Sequence, residues 1–385
     1  MRYLVLGAGQ MGHAVVYDLV RSPNVDNVYL ADVSVDKISA VLEKFSDDRI
    51  VPCQLDVSQH EEVVKVMTGC DVAISCVPYK YNFDLAKAAL EAGTNFCDLG
   101  GNDTIVRKEL LLDEIAKERG IAIIPDCGLA PGLVSVLTAA ATEGLDEIYE
   151  IRLRVGGIPV EPQPPLEYSL VFSADGLINE YVEDANVIIE GKPGRVAALT
   201  NVEQIEFPQP FGVLEAFATS GGVSTLTETF QDQVQHLDYK TIRYPGHCTV
   251  MRAMKQLGLL DADPIKVNSS SVSPRQLVTT LLEQKLPKNE PDVVLLRVTV
   301  TGVRANTPTQ VIWEGIDYMD QAEGLTAMMR MTAFPASIVA QMVARGDIID
   351  KGALVHEKSV PTALFLTEIA SRGIRLSMLE KEPVS

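Results

Sequence analysis

The feature that most constrains the fold is a regular alternation of apolar strands and amphipathic helices in the first third of the chain. The run "RYLVLG" precedes a helical pattern, "QMGHAVVYDLVRS", and the same order continues as far as "IAIIPD". Strands that are apolar throughout are typical of a parallel sheet covered on both faces, with helices as right-handed crossovers. We therefore predict an α/β protein whose residues 1–128 form an N-terminal doubly wound parallel (Rossmann) sheet that binds a dinucleotide.

A glycine motif lies at the junction of the first strand and the first helix. Gly7, Gly9 and Gly12 have the spacing G-x-G-x-x-G, in which they allow a tight turn, the approach of a pyrophosphate and close helix–strand packing. The backbone amides at the helix start, around Gln10 and Met11, are expected to face the phosphate charge. The motif therefore predicts a bound dinucleotide, against the alternative of a glycine-rich turn without a ligand.

The residue that ends the second strand indicates which dinucleotide binds. Asp32 follows Gly12 by 20 residues, where a carboxylate accepts hydrogen bonds from a ribose 2′-hydroxyl and repels a 2′-phosphate. No arginine follows in "ADVSVDK", and Lys37 is expected on a solvated helix face. The sequence therefore favours NAD over NADP.

Two later strand-to-helix loops are predicted to line the same cofactor site, although each also fits an ordinary turn. One follows the short third strand, and the other follows the fourth strand, where a proline ends the strand. The residues predicted to contact the cofactor in these loops are Asp56, Val57, Cys76, Val77 and Pro78.

Two further strands each end in an acid followed by glycines. Asp98 precedes "LGG" and Asp126 precedes "CGLAPG". Ligands of open α/β sheets bind outside the carboxyl ends of the strands, so both acids are candidates for the reacting end of the site. The alternative is that each caps a helix. Asp103 is a better cap than Asp98, and the helix after Asp126 is expected to start only near Leu133.

The second half of the chain has a different pattern. After a strand of alternating polarity, "EIYEIRLRVGG", comes a proline-rich loop and then a series of further strands, among them a long hairpin around "NT". We predict an α+β domain with a large, mainly antiparallel sheet at residues 129–330, for substrate binding and dimerisation. Residues 331–385 are predicted as a helical segment that returns to the first domain.

Two polar stretches of the second half are candidates for substrate binding. Ser220 and Gly221 lie in a glycine-rich turn, "TSGGVSTL". Arg243, Tyr244 and His247 lie in "TIRYPGH", between a strand and a helix. An arginine binds a carboxylate through a bidentate fork, and a histidine transfers protons near neutral pH. The alternative is a surface ion pair and a helix cap, which 52 acidic residues make plausible.

Composition excludes several classes of partner. The net charge of −19 disfavours a nucleic-acid surface, and no apolar run reaches the roughly 18 residues that cross a bilayer. The six cysteines form no CxxC pair, so we expect reduced thiols, no metal site and a cytoplasmic location. A homodimer or higher homo-oligomer is expected.

These segments together carry a resemblance to a known family. The blocks "VLGAGQMG", "DLGG", "PDCGLAPG", "VGGIPVEPQPPLEYSLVFS", "EAFATSGGVSTL" and "KTIRYPGH" occur in this order over nearly the whole chain. The chain resembles the saccharopine dehydrogenase-like superfamily, and within it the NAD-dependent L-lysine 6-dehydrogenases. The "GLAPG" turn is shared across the superfamily, whereas "GGIPVEPQPPLEY" and "TIRYPGH" are more specific to the lysine dehydrogenase branch.

The resemblance implies oxidation of the ε-carbon of free lysine, with NAD as hydride acceptor, to allysine and ammonia. The allysine then cyclises to piperideine-6-carboxylate. Arg243 is the expected partner of the substrate carboxylate, and Asp126 and His247 are the expected catalytic residues for proton transfer. If neither of these accepts the proton, the next candidates for the base are Asp98, Tyr168 and Glu228. The predicted substrate-binding residues are Asp98, Tyr168, Ser220, Gly221, Arg243 and Tyr244.

Two alternatives stay open at this point. A saccharopine or carboxynorspermidine-type dehydrogenase would act on a secondary amine, and saccharopine carries extra carboxylates that need extra cations. A non-catalytic NAD-binding protein would need no proton-transfer group.

Overall fold

The computed structural model describes residues 1–288 and 290–383, which form two compact units. The first unit comprises Met1–Ala140 and Met329–Ile374, and the second comprises Ala141–Met328 and the chain from Arg375 onward.

Strands and helices are numbered in chain order. The strands of the described residues are β1 Arg2–Leu6, β2 Asn27–Asp32, β3 Ile50–Gln54, β4 Val72–Ser75, β5 Asn95–Asp98, β6 Ala122–Ile124, β7 Glu147–Pro159, β8 Ala185–Ile189, β9 Lys192–Val196, β10 Glu203–Phe207, β11 Gly212–Ala218, β12 His236–Arg243, β13 Ile265–Val267, β14 Ser270–Val272, β15 Asp292–Arg304, β16 Thr307–Tyr318, β17 Gly352–Ala353 and β18 Leu376–Lys381. The helices are α1 Gln10–Arg21, α2 Val35–Phe45, α3 His60–Met67, α4 Asn82–Ala92, α5 Asp103–Leu110, α6 Asp113–Arg119, α7 Val134–Thr142, α8 Ala174–Val182, α9 Leu226–Phe230, α10 His247–Gln256, α11 Pro274–Lys285, α12 Ala327–Arg345, α13 His356–Ser359 and α14 Thr362–Ser371.

The first unit is built on a parallel sheet. Its strand order is β17-β6-β5-β4-β1-β2-β3, and every pair in it is parallel. The chain starts at β1 and proceeds to one side through β2 and β3, then crosses to β4 on the other side. The order therefore reverses beside β1 and β4, which is the switch point where ligands of doubly wound sheets bind. The predicted Rossmann fold is confirmed.

The apolar strands form the core of this unit as predicted. Val5 and Leu6 of β1 are fully buried, and the cluster that contains Leu6 also takes in Leu85 of α4 and Phe96 of β5. Gly93 ends α4 in the left-handed conformation, which glycine adopts without steric cost. The segment after Asp103 forms two helices, α5 and α6, and Asn102 instead of Asp103 caps α5 through bonds from the amides of residues 104 and 105.

The second unit is built on a large sheet that is mainly antiparallel, which confirms the second half of the predicted fold class. Its order is β10-β11-β12-β7-β15-β16-β18, and a β8–β9 hairpin pairs with β12. Among these pairs, β12 with β7 is parallel and the others are antiparallel. The predicted hairpin is β15–β16, with Ala305 and Asn306 in the left-handed region at its turn.

Two elements of the structure differ from the sequence prediction. The segment "EYSLVFS", the first of the strands predicted after the proline-rich loop, lies mostly outside regular structure and leads into α8, whose start Ser173 caps through the amide of Gly176. The final residues, predicted as part of a helical segment, form β18, which pairs with β16. The first unit also extends past the predicted boundary at residue 128, because most of α7, as far as Ala140, packs within that unit.

Candidate active site

At the glycine motif, the end of β1, the start of α1 and the residue after β4 pack closely against one another. Gly7 has a φ of +105°, and a Cβ at this residue would lie 2.9 Å from the carbonyl oxygen of Cys76, after β4. A Cβ on Gly12 would overlap the carbonyl oxygen of Gly7. Side chains at either position are therefore excluded by neighbouring backbone, which is the close helix–strand packing that the motif predicts.

Gly9 differs from the other two glycines of the motif, because the space beside its Cα is open. It is the residue before α1, and a Cβ there would meet nothing within 4 Å. As the N-cap, Gly9 has no side chain to offer the amides of this helix start, where Gln10 and Met11 form the first turn. A helix start behind an open glycine allows a phosphate to approach the backbone amides, so these residues fit the pyrophosphate of a dinucleotide.

Asp32 is held by the glycine loop itself. Its Oδ2 accepts a 2.8 Å hydrogen bond from the amide of Ala8, and its Oδ1 accepts one of 2.8 Å from the amide of Ser34. These two bonds fix the carboxylate at the end of β2, and each oxygen keeps a lone pair for a further donor. Lys37 is exposed, as expected.

The other predicted cofactor-binding residues follow β3 and β4. Asp56 is exposed and accepts bonds from the amide (2.9 Å) and hydroxyl (2.7 Å) of Ser58, and Val57 packs against the apolar core. The amide of Cys76 donates to the carbonyl of Leu6, and burial raises the pKa of the Cys76 thiol to about 12. This thiol is neutral, and the loop has a structural role beside Gly7. Val77 and Pro78 lead into a short 3₁₀ turn, Tyr79–Tyr81.

The two strand-end acids, Asp98 and Asp126, lie side by side. The amide of Asp126 donates to Oδ1 of Asp98 (3.3 Å), and the amide of Gly100 donates to the same oxygen (2.6 Å). Oδ1 of Asp126 occupies the place where a Cβ of Gly100 would be. Asp126 has a φ of +65°, which aspartate tolerates better than most residues, and α7 begins only at Val134. Neither acid is a helix cap.

A third acid that the sequence analysis did not identify contacts this pair. Glu109 of α5 is fully buried, and both of its carboxyl oxygens lack a hydrogen-bond donor among the described residues, as does Oδ2 of Asp98. Burial, and then the charge of Asp98, raise the pKa of Glu109 far above its usual range, and burial also raises the pKa of Asp98. Two neighbouring buried carboxyls cannot both ionise, so Glu109, whose pKa is raised further, keeps its proton while Asp98 ionises first.

In the second unit, Arg243 is a buried cation that forms no ion pair with any described residue. It ends β12 and is 3% exposed, and its Nη1 donates to the carbonyl of Ile242 (2.9 Å). The other buried basic residues of this unit, Arg154 and Lys240, both pair with Glu203, whereas Arg243 has no ion pair within the described part of the chain. Burying an unpaired charge is unfavourable, so this arrangement points to an anionic ligand.

A directed chain of hydrogen bonds orients Arg243. Nδ1 of His247 lies 2.8 Å from the carbonyl of Leu166, which can only accept, so Nδ1 carries the hydrogen. Nε2 of His247 then accepts from the hydroxyl of Tyr181 (2.9 Å), and that oxygen accepts from Nε of Arg243 (3.2 Å). Burial, and then Arg243, lower the pKa of His247 to about 3, so the ring is neutral and both nitrogens are engaged.

Of the other predicted substrate-binding residues, Tyr168 contacts Arg243, whereas Tyr244 lies elsewhere. Cζ of Arg243 lies 4.8 Å from the ring centroid of Tyr168, whose buried hydroxyl has no hydrogen-bond partner in the described structure. The hydroxyl of Tyr244 donates to Pro159, and its ring packs in a separate apolar cluster. The amide of Ser220 donates to the carbonyl of Glu180, beside Tyr181, and Gly221 follows with a φ of +89°.

Tyr181 and Glu180 were missed because α8 was not predicted. A signal was present, since Leu177, Ile178 and Tyr181 have helical spacing behind Ser173. Glu109 also had a signal, because it follows Val106 by three residues on the buried face of α5, where an acid is out of place.

Two family models together match nearly the whole chain. Residues 3–124 match the saccharopine dehydrogenase NADP binding domain, and residues 128–374 match the saccharopine dehydrogenase C-terminal domain. The chain belongs to the saccharopine dehydrogenase family. The predicted superfamily is thus confirmed, while the narrower similarity to lysine 6-dehydrogenases and the preference for NAD stay predictions.

Relatives within the family are named for different reactions. Saccharopine dehydrogenase [NADP(+), L-glutamate-forming] of Saccharomyces cerevisiae is 23% identical over 74% of this chain and 65% of its own length. Carboxynorspermidine synthase of Vibrio cholerae is 21% identical over 100% of this chain and 98% of its own. The matched region spans 30% of the bovine mitochondrial alpha-aminoadipic semialdehyde synthase, which is 25% identical. The chain therefore spans less than two thirds of the length of some of these relatives.

Solved structures share the fold. The apo saccharopine dehydrogenase of Saccharomyces cerevisiae superposes with a TM-score of 0.81 at 19% identity, over 99% of both chains. A homospermidine synthase of Legionella pneumophila in complex with NAD gives a TM-score of 0.70 at 13% identity, over 99% of this chain and 92% of that one.

The described residues lack two kinds of feature. They contain no group of three or more His, Cys, Asp or Glu side chains placed to hold a metal ion. Within the same residues, no helix has both the length and the apolar character needed to cross a membrane.

Proposed function

We propose that the protein is an NAD-dependent amino-acid dehydrogenase that oxidises the ε-carbon of L-lysine. In the net reaction, lysine, NAD⁺ and water give allysine, ammonium, NADH and a proton. Bound NAD supplies the acceptor for the hydride. Gly9, Gln10 and Met11 would hold its pyrophosphate, and Asp32 would accept bonds from its ribose hydroxyls.

The observation that carries this proposal is the unpaired buried guanidinium of Arg243. A substrate α-carboxylate would supply the missing anion and accept two parallel bonds from the fork. The hydroxyl of Tyr168, which is buried without a partner among the described residues, could donate to the same carboxylate. The bond chain through Tyr181 to His247 holds the guanidinium in place before the substrate binds, which reduces the entropy lost on binding.

Proton transfer is assigned to the strand-end acids. The ε-ammonium must lose a proton before its carbon can be oxidised, so a base is required. We place this role on Asp126, with Asp98 beside it. We reassign His247, predicted as a proton-transfer residue, to positioning Arg243, because its two nitrogens are engaged and its pKa is lowered to about 3.

The names of the relatives indicate which alternative substrate should be considered. Several are named for saccharopine or carboxynorspermidine chemistry, so a secondary amine substrate is the second candidate. Saccharopine carries more carboxylates than lysine and would need more cations. Among the described residues of the second unit, the buried cations other than Arg243 are already paired with Glu203, which favours the smaller substrate.

A panel of amines tests the proposal. Lysine, ornithine, diaminopimelate, saccharopine and carboxynorspermidine are each supplied with NAD or NADP, and NAD(P)H absorbance is followed. We expect lysine with NAD to give the highest kcat/KM. A higher value for saccharopine or carboxynorspermidine would establish the secondary-amine alternative, and a preference for NADP would refute the role given to Asp32.

A further inference from the structure

Glu180 is an acid beside the Arg243 site to which the proposed function gives no role. It lies near the end of α8, directly before Tyr181, and is half-buried. Its backbone carbonyl accepts from the amide of Ser220 (3.1 Å). Its carboxylate, however, makes no hydrogen bond or ion pair with any described residue.

The charged group that faces Glu180 is Arg243. Burial raises the pKa of Glu180 to about 7, and the charge of Arg243 opposes this shift. Tyr168, Tyr181 and Tyr239 are the other titratable groups close enough to interact with it. An acid and a base thus face one site, within electrostatic range but without forming an ion pair, and neither has another partner of opposite charge among the described residues.

A zwitterion is the ligand that satisfies both groups at once. A carboxylate alone would neutralise Arg243 and leave Glu180 unpaired, whereas an ammonium alone would do the reverse. The head of an α-amino acid carries both charges on adjacent atoms. Its ammonium would also keep Glu180 ionised, because a nearby positive charge favours the carboxylate form.

We propose that Glu180 binds the α-ammonium of the substrate while Arg243 binds its α-carboxylate, so that the second unit recognises the complete head of an α-amino acid. This inference rests on the proposed role of Arg243. It makes Glu180 the residue that selects an α-amino acid over an ω-amino acid or a simple carboxylic acid.

The test compares two ligands that differ only in the α-amino group. Norleucine and hexanoate have the same carbon chain, and neither has an ε-amine to oxidise, so binding is read without turnover. Kd values are measured by calorimetry and by the shift in Tm, with NAD present throughout. The proteins are the wild type, Glu180→Gln, Glu180→Asp and a control, Glu161→Gln, which changes an exposed acid.

We expect the wild type to bind norleucine more tightly than hexanoate. Glu180→Gln should raise the Kd of norleucine by about 10- to 100-fold, the range for a hydrogen bond to a charged group, and leave hexanoate within about 3-fold. Glu180→Asp keeps the charge, so it should retain part of the discrimination even if Glu180→Gln fails to fold. The control should behave as the wild type.

Other outcomes separate this inference from the proposed function. Equal weakening of both ligands by Glu180→Gln, or no change in either, would overturn the role of Glu180. If norleucine binding depends on Glu180 but lysine is not oxidised, the head-group site stands and the lysine dehydrogenase proposal fails.

Discussion

At the scale of single residues, Arg243 is stabilised by its hydrogen bonds but not by an ion pair. Its bonds to Tyr181 and Ile242 satisfy part of the guanidinium, while its positive charge stays unpaired within the described residues. Such a charge lowers the stability of the protein without ligand and strengthens the binding of an anion. Function and stability therefore oppose each other at this residue.

This opposition gives a prediction for Arg243→Met, which keeps the volume and removes the charge. The variant should show an equal or higher Tm, because the change breaks no ion pair and Glu180, the acid that faces Arg243, can bind a proton once the positive charge is removed. Its kcat/KM for lysine should fall by the equivalent of about 2–4 kcal/mol, the range for losing a buried charged hydrogen-bond partner. Thermal unfolding and steady-state kinetics measure the two effects.

Two comparisons control this prediction. Arg243→Lys restores the charge without the fork, so it should recover only part of the activity. Cadaverine lacks a carboxylate, and its oxidation should change little between wild type and Arg243→Met. A large loss of stability together with unchanged lysine kinetics would mean that Arg243 is structural.

At the scale of elements, the protonation of Glu109 links α5 to the end of β5, because the charge of Asp98 raises the pKa of Glu109. Glu109 stays protonated in the folded protein, whereas in the unfolded chain it ionises near its ordinary pKa, roughly 4.3. The unfolded state therefore binds fewer protons above that pH. This contribution to stability is complete at lower pH and is lost as pH rises toward the raised folded pKa.

The prediction is that Glu109→Gln, which mimics the protonated acid, stabilises the protein at alkaline pH. The free energy of unfolding should exceed that of the wild type by about 1–3 kcal/mol at pH 8, and the difference should shrink as pH falls toward 5. Urea unfolding at several pH values measures it. Equal stability of the two proteins at every pH would show that Glu109 is ionised in the fold.

The start of α1 offers a matched pair of glycine substitutions. Gly9→Ala adds a methyl group to open space, so Tm should stay within about 2 °C of the wild type, while NAD affinity falls because the pyrophosphate can no longer approach. Gly12→Ala places the same group against the carbonyl of Gly7, and it should lower the free energy of unfolding by about 1–3 kcal/mol. Calorimetry of NAD binding and thermal unfolding distinguish the two, and equal behaviour would contradict the assigned roles.

At the scale of the whole molecule, the parallel sheet could be predicted because its signals are local. Each strand is apolar throughout and each glycine lies at a fixed offset, so β1, α1 and Asp32 followed from spacing. Arg243 and Tyr168 were predicted as site residues from the polar blocks and the family resemblance. The neutral state of His247 was not predicted, because it depends on Leu166 and Tyr181, which contact the ring only in the folded protein.

The elements that were missed depend on partners distant in the chain. The final residues form β18 because they pair with β16, and their own sequence alternates too weakly to indicate a strand. Glu109 acquires its raised pKa only because α5 brings it to Asp98. Local patterns predict elements, whereas the protonation states of the site arise from packing.

The central claim, that the ε-carbon of lysine is the carbon oxidised, is tested most directly with L-lysine that carries two deuterium atoms at that carbon. The protein is incubated with this lysine and NAD, and the reduced cofactor, the amino-acid product and ammonia are analysed by mass spectrometry and chemical assay. The account predicts one deuterium in each NADH and an equal amount of ammonia and of cyclised allysine that retains the other deuterium. Unlabelled NADH, or NADH that forms only when a secondary amine such as saccharopine is supplied, would contradict it.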